Sequence, residues 1–238
     1  MQDLTSVINT VNNTVNSTAL TNDDIIRGLK EALKVGTNNS VKSASVLDGF
    51  YKNALIKIPF PEEAQTMETK LRALGMGTQC DKFVETMNRG AEEASKYAAS
   101  IFIDAITKLT ISDGMKILKG NDNAATTYLR NTTYDQLYQL YKPKIQASTE
   151  KKIIGNVSTK DSWNTLTSKW NSVANSIAGK IAGLKPVNTD LDDFLTSKAL
   201  SGMFLKVEGE ELKIRKEASA RISPILQRVF GSLDNKTK

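Results

Sequence analysis

The chain has 238 residues, of which 39% are hydrophobic and 24% charged, with a net charge of +6, an ordinary composition for a soluble globular protein. It contains no histidine and one cysteine, which excludes histidine-dependent triads, histidine-held metals and an internal disulfide within one chain. No apolar run approaches the roughly eighteen residues of a transmembrane helix, and the start lacks the basic-then-apolar pattern of a signal peptide.

The first segment is polar. Twelve of residues 1–22 are Asn, Ser or Thr, and none is Lys or Arg, so the segment can bury little apolar surface. Five apolar residues nevertheless follow helical spacing: Leu4, Val7, Ile8, Val11 and Val15. We predict a polar tether or marginal helix over residues 1–20, a single all-helical domain over residues 21–232 and a C-terminal tail over residues 233–238.

Two helices are predicted at the start of the domain. Thr21 or Asn22 can cap the first helix and Gly36 is placed to end it, with an apolar stripe made of Ile25, Ile26, Leu29 and Leu33. An extended connector follows. Pro61 suits the first position of the second helix because that position needs no backbone donor.

Residues 78–109 give the strongest helical pattern. Cys80, Phe83 and Met87 lie on one helical face, and further apolar residues near Phe102 widen the apolar surface almost all round. This pattern predicts a central helix that is buried on most sides.

Polar residues interrupt the helical pattern at Gly120, where the sequence reads GNDN. A helix is predicted from Ala124 to about Arg130, and another from Thr132 or Thr133, which Pro143 bends or breaks. Further helical segments close the domain. Trp163 and Trp170 lie on one helical face, and we expect them to anchor their segment to the core. No segment shows sustained strand alternation, so we predict an all-α fold of about eight to ten helices.

Several motifs in the chain resemble a known bacterial family. The stretches DDIIRGLKEALKVGT, NALIKIPFPEE, MNRGAEEA, ILKGNDNAATTYLR and TDLDDFLTSKALSGMF are similar, in this order, to domain-of-unknown-function family 4197. The resemblance runs from about Thr21 to Gly231. It implies an exported all-helical protein of Gram-negative bacteria, made with a signal or lipoprotein signal, and it implies no activity. We therefore expect a periplasmic or cell-envelope location, or a cytoplasmic one if no signal was removed.

The GNDN loop is the first candidate site. Family members commonly carry Gly-Gly-Asp-Asp here, and the single carboxylate of this chain weakens a metal interpretation. Asp122 or Asn123 can cap the next helix by accepting from the amides of Ala125 or Thr126. The functional hypothesis is that the exposed amides also bind an anion or a polar head group.

A second candidate lies in the MNRGAEEA motif, where Asn88 and Glu92 share a helical face. The structural interpretation is a buried network of Asn88, Arg89 and Glu92 that satisfies loop backbone groups. The functional interpretation is a carboxylate or anion pocket built on Arg89.

Tyrosines and further acids complete the candidates. Tyr134, Tyr138 and Tyr141 form a stripe that is more often the edge of a core than a ligand cage. Together with Tyr128 and Arg130, the first two are included in the candidate ligand-binding set. Glu208 and Glu211 could act as acid and base or hold a divalent cation, but such spacing more often belongs to a solvated face, on which Glu211 would pair with Arg215.

The leading hypothesis is a non-enzymatic, exported binding or interaction protein, without cofactor or metal, that holds an apolar or lipid-like ligand between helices. Its partner could instead be an envelope protein. The alternative is a carboxylate-based hydrolase of the cell envelope, which needs two acidic side chains about 5–10 Å apart in one cleft. The positive charge permits weak attraction to anionic lipid or acidic polymers, but the lysines are dispersed, so we expect no nucleic-acid partner.

Overall fold

Helices make up the regular secondary structure of residues 19–234, the part of the chain that this computed structural model describes. The predicted all-α class is confirmed, whereas the tether predicted for residues 1–20 lies outside the described residues apart from its last two positions. Within the described range there are ten α-helices: α1 Asn22–Ala44, α2 Gln65–Ala73, α3 Gly77–Ser95, α4 Ala98–Lys108, α5 Gly114–Leu118, α6 Ala124–Glu150, α7 Thr159–Asn175, α8 Ile177–Ile181, α9 Leu191–Lys216 and α10 Pro224–Gly231.

Helix α1 begins as predicted but is longer than predicted. The Thr21 hydroxyl accepts from the amide of Asp24, and the Asp24 carboxylate accepts from the amide of Thr21, which completes a capping box. The helix continues through Gly36 to Ala44. A Cβ at Gly36 would lie 3.3 Å from Cβ of Glu210, so this glycine serves the close approach of α9 and does not end the helix.

The segment predicted as one central helix is two helices. Helix α3 ends at Ser95, the chain turns at Lys96 and Tyr97, and α4 begins at Ala98. Phe83 and Met87 of α3 are buried, as is Phe102 of α4. The wide apolar surface in the sequence therefore belongs to two helices, each of which buries its own face.

Helix α6 is continuous where two helices were predicted. Pro143 lies inside it, although proline leaves one helical carbonyl without its usual donor. The hydroxyls of Thr132 and Thr133 donate to the carbonyls of the preceding turn and cap no new helix. Leu129, Leu137 and Tyr141 are fully buried along α6, and this burial outweighs the local breaking signals.

The buried hydrophobic residues form one cluster around α9, which packs against α1 and α6. The rings of Phe204 on α9 and Phe102 on α4 have centroids 5.2 Å apart. Trp163 on α7 stacks on Phe83 at 5.0 Å and is buried, as is Trp170, which confirms their predicted anchoring role. Among the described helices, none is both long and apolar enough to cross a membrane.

A pair of glycine substitutions tests the packing of α1. A Cβ at Gly28 would lie 2.6 Å from Cγ2 of the buried Val229 on α10, so Gly28→Ala should lower the free energy of unfolding by about 1–3 kcal/mol. Gly209→Ala in α9 meets no atom within 4 Å and should raise it by about 0.5–1 kcal/mol. Urea denaturation measures both; equal effects would contradict the close packing of α1 on α10.

Candidate functional site

A buried carboxylate from α9 holds the N-terminus of α6. Oε1 of Glu211 accepts from the amide of Ala125 at 3.0 Å, and Oε2 accepts from the amide and hydroxyl of Thr126 at 2.7 and 2.6 Å. Nε of Arg215 donates to Oε1 at 2.8 Å. Because a carboxylate offers about four lone-pair sites, these bonds leave Glu211 little capacity to bind a metal or a substrate.

The partner of that carboxylate holds the C-terminus of α5. The two terminal nitrogens of Arg215 donate to the carbonyl oxygens of Leu118 at 2.8 Å and Ile117 at 3.1 Å. Both members of the pair are buried, so the prediction that Glu211 and Arg215 form a solvated face is wrong. One ion pair thus terminates α5 and starts α6, using the rigid fork of the guanidinium.

The GNDN loop spans this junction and does not cap α6 with its side chains. Asn123 occupies the cap position, but its side chain makes no capping bond and instead donates to Glu208. Asp122 is exposed and pairs with Lys216 at 2.9 Å. The prediction that Asp122 or Asn123 caps the helix is therefore wrong, because Glu211 takes that role.

The amides at the start of α6 are also not exposed donors for an anion. The amide of Ala124 donates to the carbonyl of Asn121 at 3.0 Å, and the amide of Thr127 donates to the carbonyl of Asn123 at 2.8 Å. The two amides between them are bonded to Glu211. The predicted anion site on these amides is therefore wrong, since each of them already has a partner.

The MNRGAEEA motif lies in α3 and holds the connector that precedes α2. Glu92 accepts from the amides of Phe50 and Tyr51, both at 3.0 Å. Asn88 accepts from the amide of Ile58 and donates to its carbonyl, both at 2.8 Å. This is the buried network of the structural interpretation.

Arg89 extends this network to the start of the connector. It donates to Glu92 at 2.9 Å and to Asp48 at 2.8 Å. Asp48 has a positive φ of 67°, a conformation that Asp tolerates better than most residues. The hydrogen bonds from Lys52 and Arg89 lower the pKa of Asp48. An anion pocket on Arg89 stays a prediction, and its guanidinium already contacts the carboxylates of Glu92, Asp48 and Glu85.

Two tyrosines of the predicted stripe, Tyr134 and Tyr138, contact α9. Tyr134 stacks on the ring of Phe204 with centroids 6.4 Å apart, and the guanidinium of Arg130 lies 4.9 Å from the same ring. The hydroxyl of Tyr138 donates to Asp193. Burial and this hydrogen bond raise the pKa of Tyr138. These side chains form the seam between two helices, as the core-edge interpretation predicts.

A pocket lies at the α5–α6 junction, and part of the predicted ligand-binding set lines it. Its volume is about 510 Å³, and it brings together two of the predicted residues, Asn123 and Tyr128. The Tyr128 hydroxyl donates to the carbonyl of Thr110 at 2.7 Å, which fixes the ring. The sequence analysis missed the other lining residues: Ser112, Asp113, Lys116, Ile117, Gly120, Asn121, Ala124, Thr127 and Asn131.

One signal could have found part of this pocket. Ala124, Thr127, Tyr128 and Asn131 lie at i, i+3, i+4 and i+7, which places them on one face of α6. Asp122 lies outside this pocket and lines a second one of about 310 Å³ on the other side of the loop, beside Lys216.

The predicted ligand-binding residues therefore occupy three places. Asn88, Arg89 and Glu92 lie in the α3 network. Asp122, Asn123 and Tyr128 lie at the α5–α6 junction, and Arg130, Tyr134 and Tyr138 lie in the α6–α9 seam.

No metal centre is visible in the described part of the chain, where no cluster of three or more acidic or cysteine side chains could hold an ion. The model of one protein family, described as a protein of unknown function (DUF4197), matches residues 19–231. The chain belongs to this family. The match confirms the resemblance seen in the sequence. Comparison with curated proteins and with solved structures gives no match.

The ion pair of Glu211 and Arg215, which caps both α5 and α6, leads to a stability prediction. Glu211→Ala should lower the free energy of unfolding by about 3–5 kcal/mol, because it leaves the buried charge of Arg215 without its partner. Asp122→Ala should change it by no more than about 0.5 kcal/mol, because its ion pair with Lys216 is exposed. Urea denaturation compares the two variants. A larger loss for Asp122→Ala would restore Asp122 as the cap.

The α3 network predicts protection of the connector from proteolysis. Asn88→Ala removes the side chain that bonds both backbone groups of Ile58, so trypsin should cleave after Lys57 faster than in the unaltered protein. Glu85→Ala is the control, since its carboxylate lies 3.4 Å from Arg89 and contacts no connector backbone. Equal cleavage of the two variants would show that Asn88 does not hold the connector.

Proposed function

We propose that this protein is a non-enzymatic binding protein of the bacterial cell envelope, which holds a small amphipathic, lipid-like molecule in the α5–α6 pocket. The observation that carries the proposal is a pocket of about 510 Å³ at a junction whose two helix ends are fixed by the buried pair of Glu211 and Arg215. Ligand pockets commonly measure about 300–1,000 Å³ and are largely formed before the ligand binds.

The lining suits a ligand with one apolar and one polar part. Ile117, Ala124 and the ring of Tyr128 supply apolar surface. Asn121 and Asn131 supply amide groups, each of which can both donate and accept hydrogen bonds. A neutral or weakly charged head group attached to an apolar chain would use both kinds of surface.

Charge in the pocket is nearly balanced, which favours such a ligand over a strong anion. Lys116 and Asp113 are its charged residues, and the Asp113 carboxylate accepts from the amide of Lys116 at 2.9 Å. Asp113 therefore already caps α5, and Lys116 remains the cationic group that could contact a polar head.

Binding is favoured over the alternative of a carboxylate hydrolase. Among residues 19–234, Asp113 is the one acidic residue that lines this pocket, whereas the hydrolase needs two carboxylates in one cleft. Glu92 and Glu211 are buried and hydrogen-bonded to backbone amides. Burial raises the pKa of the Cys80 thiol, which disfavours its nucleophilic thiolate form.

The envelope location rests on the family resemblance and identifies where a ligand should be sought. Purified from a bacterial envelope extract and then denatured, the protein should release an amphipathic compound that mass spectrometry detects. Thr127→Trp, an exposed position on the pocket wall, should abolish this release because the indole fills the cavity.

Gln139→Trp is the matched control. It adds the same indole at an exposed position of α6 that does not line this pocket, so the ligand should remain. The same compound at the same yield from Thr127→Trp would refute the pocket as its site. A blank from the unaltered protein would shift the proposal toward docking of an envelope protein.

A further inference from the structure

The end of α7 together with α8, residues 173–185, forms a surface that we call the α7–α8 tip. It presents three large apolar side chains to solvent: Val173 is 51% exposed, Ile177 81% and Ile181 83%. Ile177 and Ile181 lie one turn apart, on the same face of α8. Most isoleucines in folded proteins are buried, so two on one exposed helix face indicate a surface that meets an apolar environment.

The backbone fixes these side chains in their exposed positions. A Cβ at Gly179 would lie 2.1 Å from the carbonyl oxygen of Val173, so only glycine lets α8 pack this closely on the end of α7. After α8, the indole nitrogen of Trp170 donates to the carbonyl of Lys185 at 2.8 Å. These two contacts attach the tip to α7, and Ile177 and Ile181 remain exposed to solvent.

The sequence segment that forms the tip carries only positively charged side chains. Between Asp161 and Asp190 the sequence contains three lysines, Lys169, Lys180 and Lys185, and no acidic residue. All three lysines are exposed, and none takes part in a salt bridge among the described residues. Elsewhere in the described range, lysines such as Lys142 and Lys151 pair with carboxylates.

We propose that the α7–α8 tip docks on the surface of an anionic phospholipid bilayer. The isoleucines would enter the boundary between head groups and acyl chains, while the lysines contact the negatively charged head groups. Exposed apolar side chains flanked by lysines are the two signals that bind peripheral proteins to such surfaces. The tip is separate from the α5–α6 pocket, so this inference does not depend on what the pocket holds.

Sedimentation with vesicles tests the proposal with the full chain. The protein should bind vesicles of phosphatidylcholine and phosphatidylglycerol more tightly than vesicles of phosphatidylcholine alone, and added salt should weaken that binding. Ile177→Ser with Ile181→Ser should reduce the binding about tenfold or more, because two apolar contacts are lost. Replacing the three lysines with glutamine should also reduce it about tenfold or more.

The control is Leu74→Ser with Ile222→Ser, which removes two apolar side chains that are 74% and 70% exposed elsewhere on the surface. This variant should bind the vesicles as the unaltered protein does. Equal losses in the two double variants, or equal binding to neutral and anionic vesicles, would overturn the proposal. So would a concentration-dependent dimer that the tip variant abolishes, in the absence of vesicle binding, because the tip would then contact a second copy of the chain.

Discussion

The buried ion pair of Glu211 and Arg215 is the interaction on which the candidate site depends. The Glu211 carboxylate accepts hydrogen bonds from the amides at the start of α6, and the Arg215 guanidinium donates to the carbonyls at the end of α5. Each charge meets helix-end groups of opposite partial charge, so the cost of burying the pair is offset at both helices. The direction of α5 relative to α6, and with it the pocket between them, follows from this pair.

Sequence motifs predicted a helix cap where the capping residue lies close in sequence to the helix end. Thr21, one of the two residues predicted to cap α1, does so through a capping box with Asp24, only three positions away. The cap of α6 comes instead from Glu211, 86 positions away from Ala125. No local pattern marks such a cap, so Asn123, a residue with strong capping preference, was the natural but wrong choice. The break predicted at Pro143 is wrong for a similar reason, because tertiary burial along α6 outweighs a local helix breaker.

The site was predictable only in part for a related reason. The tyrosine spacing drew attention to α6, and the candidate set also included Tyr128, which lines the pocket. Polar residues at helical spacing, such as Thr127 and Asn131, usually mark an ordinary solvent face. Asp113 and Lys116 join them only because α5 packs beside the start of α6. The buried network of Asn88 and Glu92 was predictable, because polar residues within a strongly apolar helix must find partners.

The measurement that tests this account most directly is amide hydrogen exchange at the start of α6. First-turn amides of a helix have no helical acceptor and exchange quickly when water reaches them. If Glu211 holds them, the amides of Ala125 and Thr126 should exchange as slowly as that of Leu137 in the buried middle of α6. Exchange as fast as that of Lys160, in the exposed first turn of α7, would contradict the claim that a buried ion pair from α9 builds this junction.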